Sequence, residues 1–226
     1  MTGNGHWAVT EEGQYWLAAL RGLARGFTYP DAAWVETLLD GRWLEVLASV
    51  VSAQGLSVLG LRQAVETLPN DTPTALRILE VEYTYLFINA VPRVPAPPYA
   101  SAYTEQGLLM GEPAEAALVA YRQAGLSLAE DYRDLPDHVA AELEFLASLG
   151  RQAVEALEVG ERELARVRLA QLQAFVEQQA WPWLPGFCQR VVEAARTPFY
   201  RELARLALAL LSAAPMPQHA DSLGGN

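Results

Sequence analysis

Few side chains in this sequence have the type and spacing to do chemistry. His138 and Glu142 stand one helical turn apart, with Asp137 beside them, and form the only compact set of titratable groups that includes a histidine inside a strong element. A carboxylate and an imidazole at that spacing share one helix face, which suits a helix contact, one edge of a metal site or acid–base work. The other two histidines, His6 and His219, fall in the terminal segments. A ferritin-like metal centre needs paired Glu-x-x-His motifs on facing helices, and the sequence contains none. Cys188 is the single cysteine, too few for an intramolecular disulfide or a thiolate cluster, and it reads as a small buried hydrophobe. Ser101 lacks the flanking glycines of a nucleophile elbow, and no glycine-rich phosphate loop is present. The sequence therefore gives no catalytic residue, no metal ligand set and no cofactor motif.

The elements that must carry these residues are helices. Apolar residues recur at helical spacing, and no strand-like alternation bounded by turns is evident. Thr10 is a candidate N-cap for a helix with Trp16, Leu17, Leu20, Leu23, Ala24 and Phe27 on one face. Further helices are expected over 31–40, 43–52 and 56–68, and Thr72-Pro73 reads as N-cap and first residue of a helix over 73–88. That helix has apolar residues on two stripes, Leu76, Leu79, Tyr83, Leu86 and Phe87 on one and Ile78, Val81 and Tyr85 on the other, so it is expected to be central. Residues 89–112 contain Pro92, Pro95, Pro97 and Pro98 and read as a long stiff connector. Pro113 restarts a helix that Gly125 ends, and Leu135-Pro136 begins another running to about Leu157. A helix over 161–180 is expected to turn Leu164, Val167, Leu172, Phe175 and Val176 inward. After the Trp181–Gly186 break come a helix over 187–195 and a last one starting at Thr197-Pro198. The expected fold is all-α, a single-domain bundle of about ten helices spanning 1–213, with 214–226 a flexible tail.

With 51% hydrophobic and 19% charged residues, the 226-residue chain has the composition of a packed globule. No basic region precedes the first apolar stretch, and the apolar run at 206–211 is far too short to span a bilayer, so a cytoplasmic location without membrane insertion is expected. A net charge of -11 disfavours nucleic acid and anionic lipid and favours a basic partner, although solubility alone also accounts for it. All 16 basic residues are arginine.

Two longer segments are more specific. Glu82-Tyr83-Thr84-Tyr85-Leu86-Phe87 leads into Pro97-Pro98-Tyr99-Ala100-Ser101-Ala102-Tyr103 and Gly107-Leu108-Leu109-Met110-Gly111-Glu112, and Leu135-Pro136-Asp137-His138 is followed by Glu142-Leu143-Glu144-Phe145-Leu146. In this order, and with Thr197-Pro198-Phe199-Tyr200 near the end, they resemble the TorD/DmsD family of redox-enzyme maturation chaperones over residues 11–211. Residues 93–98 and the Leu-Leu-Met-Gly-Glu run look closest to the branch serving type II DMSO-reductase-family enzymes. Ala100 and Ala102 depart from the family pattern.

The resemblance implies an all-helical chaperone without turnover. Such a protein binds the twin-arginine signal peptide of a molybdopterin-dependent oxidoreductase catalytic subunit and assists cofactor insertion before export, as a monomer or a homodimer. Carried over by position, its peptide-binding residues are Tyr83, Leu86, Phe87, Pro98, Tyr99, Ser101, Tyr103, Asp137 and His138. An arginine pair followed by an apolar stretch calls for acidic groups beside an aromatic groove, and the composition agrees. Leu86 and Phe87 read equally well as core, and Asp137 as a helix N-cap. Tyr99 and Tyr103 are expected at the groove, and His138 is expected to titrate near the ordinary histidine value of about 6.5. The competing reading is a nucleotide- or molybdopterin-binding maturation factor, against which stand the missing phosphate loop and the acidic charge.

Overall fold

Ten α-helices account for most of the described residues, and their starts follow from local chemistry. The structure is a computed structural model that describes residues 6–104, 109–130 and 132–213. The helices are α1 (Glu11–Gly26), α2 (Ala32–Leu39), α3 (Arg42–Val51), α4 (Leu59–Glu66), α5 (Thr72–Tyr83), α6 (Glu112–Gln123), α7 (Val139–Glu158), α8 (Arg162–Phe175), α9 (Leu184–Ala194) and α10 (Pro198–Ser212). No strand occurs among the described residues, and the all-α expectation holds. Thr10 caps α1 by accepting the Gly13 N–H, as its sequence position predicts. At α5 the cap is Asp71, which takes the Thr74 N–H, so Thr72 and Pro73 are both already helical. The aspartate, one residue earlier, outcompetes the threonine because its carboxylate also faces the positive end of the helix dipole. Gly125 follows α6 at φ +72°, the left-handed conformation that closes a helix.

Two helices carry a final turn widened to π geometry, Thr84–Ile88 after α5 and Val176–Ala180 after α8. Both sequence-predicted helices therefore exist over their expected lengths but change pitch near the end. The first of these turns holds part of the aromatic motif. Such turns are frequent at functional positions.

The core is one contiguous set of buried apolar side chains. α1 runs through it with Trp16, Leu17, Leu20, Leu23 and Ala24 buried, as its amphipathic pattern requires. Its Trp16 indole donates to the Leu210 carbonyl of α10 at 2.8 Å, so the chain's first and last long helices are tied by a buried hydrogen bond. α7 packs against α1 and α8, and α10 against α9 and α4. Two expectations about faces fail. Leu164 and Val167 are 39% and 38% exposed, and Ala165 and Leu169 turn inward in their place. Val81 is 63% exposed while Ile78 and Tyr85 are half-buried, so the second stripe of this helix is only partly covered. In both helices an apolar residue on the outer face misled the periodicity, since surfaces are themselves rich in apolar atoms.

The α1–α7 crossing depends on Gly150, where an added Cβ would lie 2.1 Å from a terminal methyl carbon of the buried Leu17. Helix propensity alone favours Gly150→Ala by about 1 kcal/mol. Overpacking against Leu17 should reverse this to a net loss of about 1–3 kcal/mol in chemical denaturation. In the double variant with Leu17→Ala the alanine at 150 should become neutral or stabilising.

Candidate functional site

The two motifs that lie far apart in sequence meet at the start of α7. The Pro-rich connector has only a short 3-10 turn at Ala100–Tyr103 to satisfy its backbone, so it borrows partners. Ala100 N–H donates to the Asp137 carbonyl at 3.0 Å, and Val139 N–H donates to the Pro98 carbonyl at 2.8 Å. These bonds make an isolated antiparallel bridge between Tyr99 and His138. Ser101 N–H adds a 2.8 Å bond to Asp137 Oδ2, and further back Ala96 N–H donates to the Leu86 carbonyl at 3.0 Å. The loop before α7 is fixed from the other side, where the Tyr121 hydroxyl donates to the Pro136 carbonyl at 2.7 Å.

His138, not Asp137, caps α7. Its Nδ1 accepts the Ala140 N–H at 3.1 Å, which leaves the ring proton on Nε2. Nε2 lies 3.4 Å from the Tyr83 hydroxyl and 3.7 Å from Asp134 Oδ2. Tyr83 in turn donates to the Phe27 carbonyl at 3.1 Å. Burial lowers the His138 pKa below its ordinary value, although Asp134 and Asp137 pull the other way. The capping bond reinforces burial, because protonating Nδ1 would remove the acceptor. Titration near 6.5 is thus corrected to a lower pH. The N-cap assignment of Asp137 is corrected too: its side chain is fully buried and serves the connector through Ser101 N.

Of the residues expected to meet a peptide, the structure gathers Tyr83, Pro98, Tyr99, Ser101, Asp137 and His138 within this junction. Tyr99 presents its ring edge-on to His138 at 5.5 Å and is half-buried, with the Asp134 carboxylate near its hydroxyl. Burial first, then the neighbouring Asp134, raises the Tyr99 pKa, so it stays a neutral phenol. Leu86 and Phe87 are core: Leu86 is 0% exposed and Phe87 packs against Phe27, Tyr83, Phe187 and Tyr200. Tyr103 lies apart from His138, half-buried against Trp183 and Phe187, with the Arg190 guanidinium 4.8 Å over its ring. Part of the Gly107–Glu112 run, residues 107 and 108, lies outside the described residues, as does the 214–226 segment with His219.

Sequence reasoning missed Asp134, whose side chain is 39% exposed and stands over His138. It is the carboxylate here that a solvent-borne cation can reach. Tyr29, 48% exposed and edge-on to Tyr83 at 5.3 Å, was missed as well, and half-buried Tyr132 anchors the loop through its hydroxyl on the Leu135 carbonyl. The signal for Asp134 was its place one residue before the Leu-Pro-Asp-His motif. The junction therefore offers an anionic group rimmed by tyrosines Tyr29, Tyr99 and Tyr132, a setting suited to a guanidinium.

Comparison with known proteins assigns this all-helical body to a family. Residues 54–189, more than half of the chain and both motifs included, match the family described as nitrate reductase delta subunit. The chain is 32% identical over 167 residues to the chaperone protein TorD of Vibrio cholerae serotype O1 (strain O395), covering 73% of this chain and 74% of that one. It is 33% identical over 182 residues to TorD of Photobacterium profundum, covering 77% and 78%. A solved structure described as a redox enzyme maturation protein from Archaeoglobus fulgidus matches in fold with a TM-score of 0.51 at 24% identity, over 90% of this chain and 94% of that one. The chain belongs to the TorD/nitrate reductase delta family of redox-enzyme maturation chaperones, a family without enzymatic activity. The matches place it in the family and not in one of its branches. No described helix is long and apolar enough to cross a membrane.

The capping geometry makes a signed prediction. The folded chain holds His138 below its ordinary pKa, so on acidification the unfolded chain takes up the proton first. The stability this residue contributes is present above about 6.5 and is lost as pH falls towards the folded value. Wild type should therefore lose stability relative to His138→Asn, which keeps a capping oxygen, as pH drops from about 7 to 5. Thermal melts across that range measure it, and parallel curves would place the histidine's proton elsewhere.

Proposed function

We propose that this protein is a cytoplasmic chaperone that binds the twin-arginine leader of a molybdopterin-dependent oxidoreductase and guards the subunit while its cofactor is inserted. We also propose that residues 1–213 act as one domain in doing so. The observation that supports the reading most is the junction itself. Exposed Asp134 sits near the Tyr99 hydroxyl and 3.7 Å from His138 Nε2, among tyrosine rings, on a chain of net charge -11. A leader's guanidinium would take the carboxylate of Asp134 and lie against Tyr99 or Tyr29, both of which keep part of their surface in water. Family membership supplies the class of client, a redox enzyme under maturation.

Of the residues first assigned to peptide contact, this reading keeps Tyr99 as the contact surface and adds Asp134 and Tyr29. Tyr83, His138, Asp137, Ser101, Pro98, Leu86 and Phe87 shape that surface from beneath, since all seven are buried.

Calorimetry with a peptide carrying the arginine pair and an apolar tail is the test. Binding near micromolar, about -8 kcal/mol, is expected, with most of it supplied by the apolar tail. Asp134→Asn should weaken binding about 2- to 5-fold, and the deficit should shrink as salt rises. Asp137→Asn should leave that salt dependence unchanged, because its carboxylate is fully buried. Equal binding of a peptide whose arginines are replaced by alanine would overturn the reading.

A further inference from the structure

A leader's arginine pair is followed by an apolar stretch, and the junction around Asp134 accounts for the arginines alone. Beside that junction lies an open cleft of about 490 Å³ against α5, lined by Tyr29, Arg77, Glu80, Val81 and Thr84. Tyr29 belongs to both places. It walls the cleft, and its ring stands edge-on to Tyr83 at 5.3 Å; the Tyr83 hydroxyl is 3.4 Å from His138 Nε2, which is 3.7 Å from Asp134. An extended chain advances about 3.3 Å per residue, so about five residues carry it from Asp134 past Tyr29 into the cleft.

The lining suits an uncharged, apolar segment. Val81 is 63% exposed although it lies within α5. A single exposed valine is ordinary. Here the next exposed large apolar residues along the chain, Ile88 and Val91, are also more than half open, and Tyr29 is nearly so. That density of exposed apolar side chains is typical of interaction surfaces rather than of scatter. Arg77 and Glu80 balance each other, so the cleft carries no net charge on a chain of -11, and nothing in it draws an arginine away from Asp134. Both side chains and the Thr84 hydroxyl offer donors and acceptors to the main chain of an extended segment. Thr84 also opens the π turn Thr84–Ile88, which gives that change of pitch a place at the edge of a site.

We propose that this cleft is the subsite for the apolar stretch of the leader, with Val81 as its apolar contact and Tyr29 as the wall shared with the arginine end. The assignment rests on leader binding as the protein's function. It accounts for how the two ends divide the work: an ion pair at a partly exposed carboxylate adds little affinity, so the apolar end supplies most of it.

Three synthetic peptides separate the cleft from the arginine site: an arginine pair with a leucine–alanine tail, the same pair with a glycine–serine tail, and the leucine–alanine tail alone. Each is titrated calorimetrically into wild type, Val81→Ser and Asp134→Asn, with melting curves alongside. Val81 lies outside the core, so Val81→Ser should melt close to wild type. It should weaken both leucine–alanine peptides about 5- to 10-fold and leave the glycine–serine peptide unchanged. Asp134→Asn should weaken both arginine peptides and leave the tail alone unchanged. A benzophenone placed in the leucine–alanine tail should cross-link to residues 77–84. If the arginine pair makes no difference to affinity but the tail still binds through Val81, leader recognition fails and the apolar subsite stands. If the arginines bind through Asp134 while the tail is indifferent to Val81, the subsite is overturned and leader recognition stands. Absence of binding by all three peptides overturns both. Sedimentation showing wild type self-associated and Val81→Ser monomeric would make this face a contact between two copies, and overturns the subsite as well.

Discussion

The connection on which the rest of this structure depends is the short antiparallel pairing between residues 98–101 and 137–139. A segment with four prolines within seven residues can form neither helix nor sheet, yet its backbone lies against a packed core and must be satisfied. The first turn of α7 has the complementary problem, since its leading N–H groups have no partners within the helix. The two deficits cancel: the Pro98 carbonyl receives Val139 N–H, and His138 Nδ1 receives Ala140 N–H. α7 is the longest described helix and packs against both α1 and α8, so the same pairing that orders the connector also fixes where the central helix begins.

Much of the fold was legible because helices announce themselves through period and caps. Thr10, Pro113, Gly125 and Pro198 mark true boundaries, and the inward stripe of α1 is buried as read. What failed were questions that one sequence leaves to tertiary structure. Asp71 and Thr72 are both plausible caps by residue type, and Asp137 is a far commoner kind of cap than His138. The loser in the second pair was already committed to Ser101, 36 positions away in the chain. Leu164, Val167 and Val81 have the right chemistry for a core and the wrong side of the helix. Periodicity gives the existence of a face, and the neighbour decides which face is covered.

The candidate site was legible as two motifs but not as a surface. Family resemblance identified segments, and within each segment burial separates residues that look alike in sequence. Tyr83, Tyr99 and Tyr103 are all tyrosines of the first motif region. Tyr83 is buried with its hydroxyl on a main-chain carbonyl, Tyr99 keeps an open edge over His138, and Tyr103 supports Trp183 on the far side. No composition or spacing argument distinguishes them, because the π turn after Tyr83 and the connector reset the direction of every later side chain.

The carboxyl groups of this region show the same separation in its sharpest form. Asp134, Asp137 and Glu142 fall within nine residues and carry one functional group. Asp134 is partly in water, where its charge is cheaply solvated and available to a cation. Asp137 is fully buried, and the Ser101 N–H partly replaces the water it lost. Glu142 is buried as well but receives only an indole N–H, beside another carboxylate, and its pKa is pushed up to about 8. Depth and the donors each group meets thus divide a row of acidic residues into an exposed charge, a structural acceptor and a weakened acid. The net charge of the chain, read from its sequence as an attraction for basic partners, is concentrated for this site in Asp134.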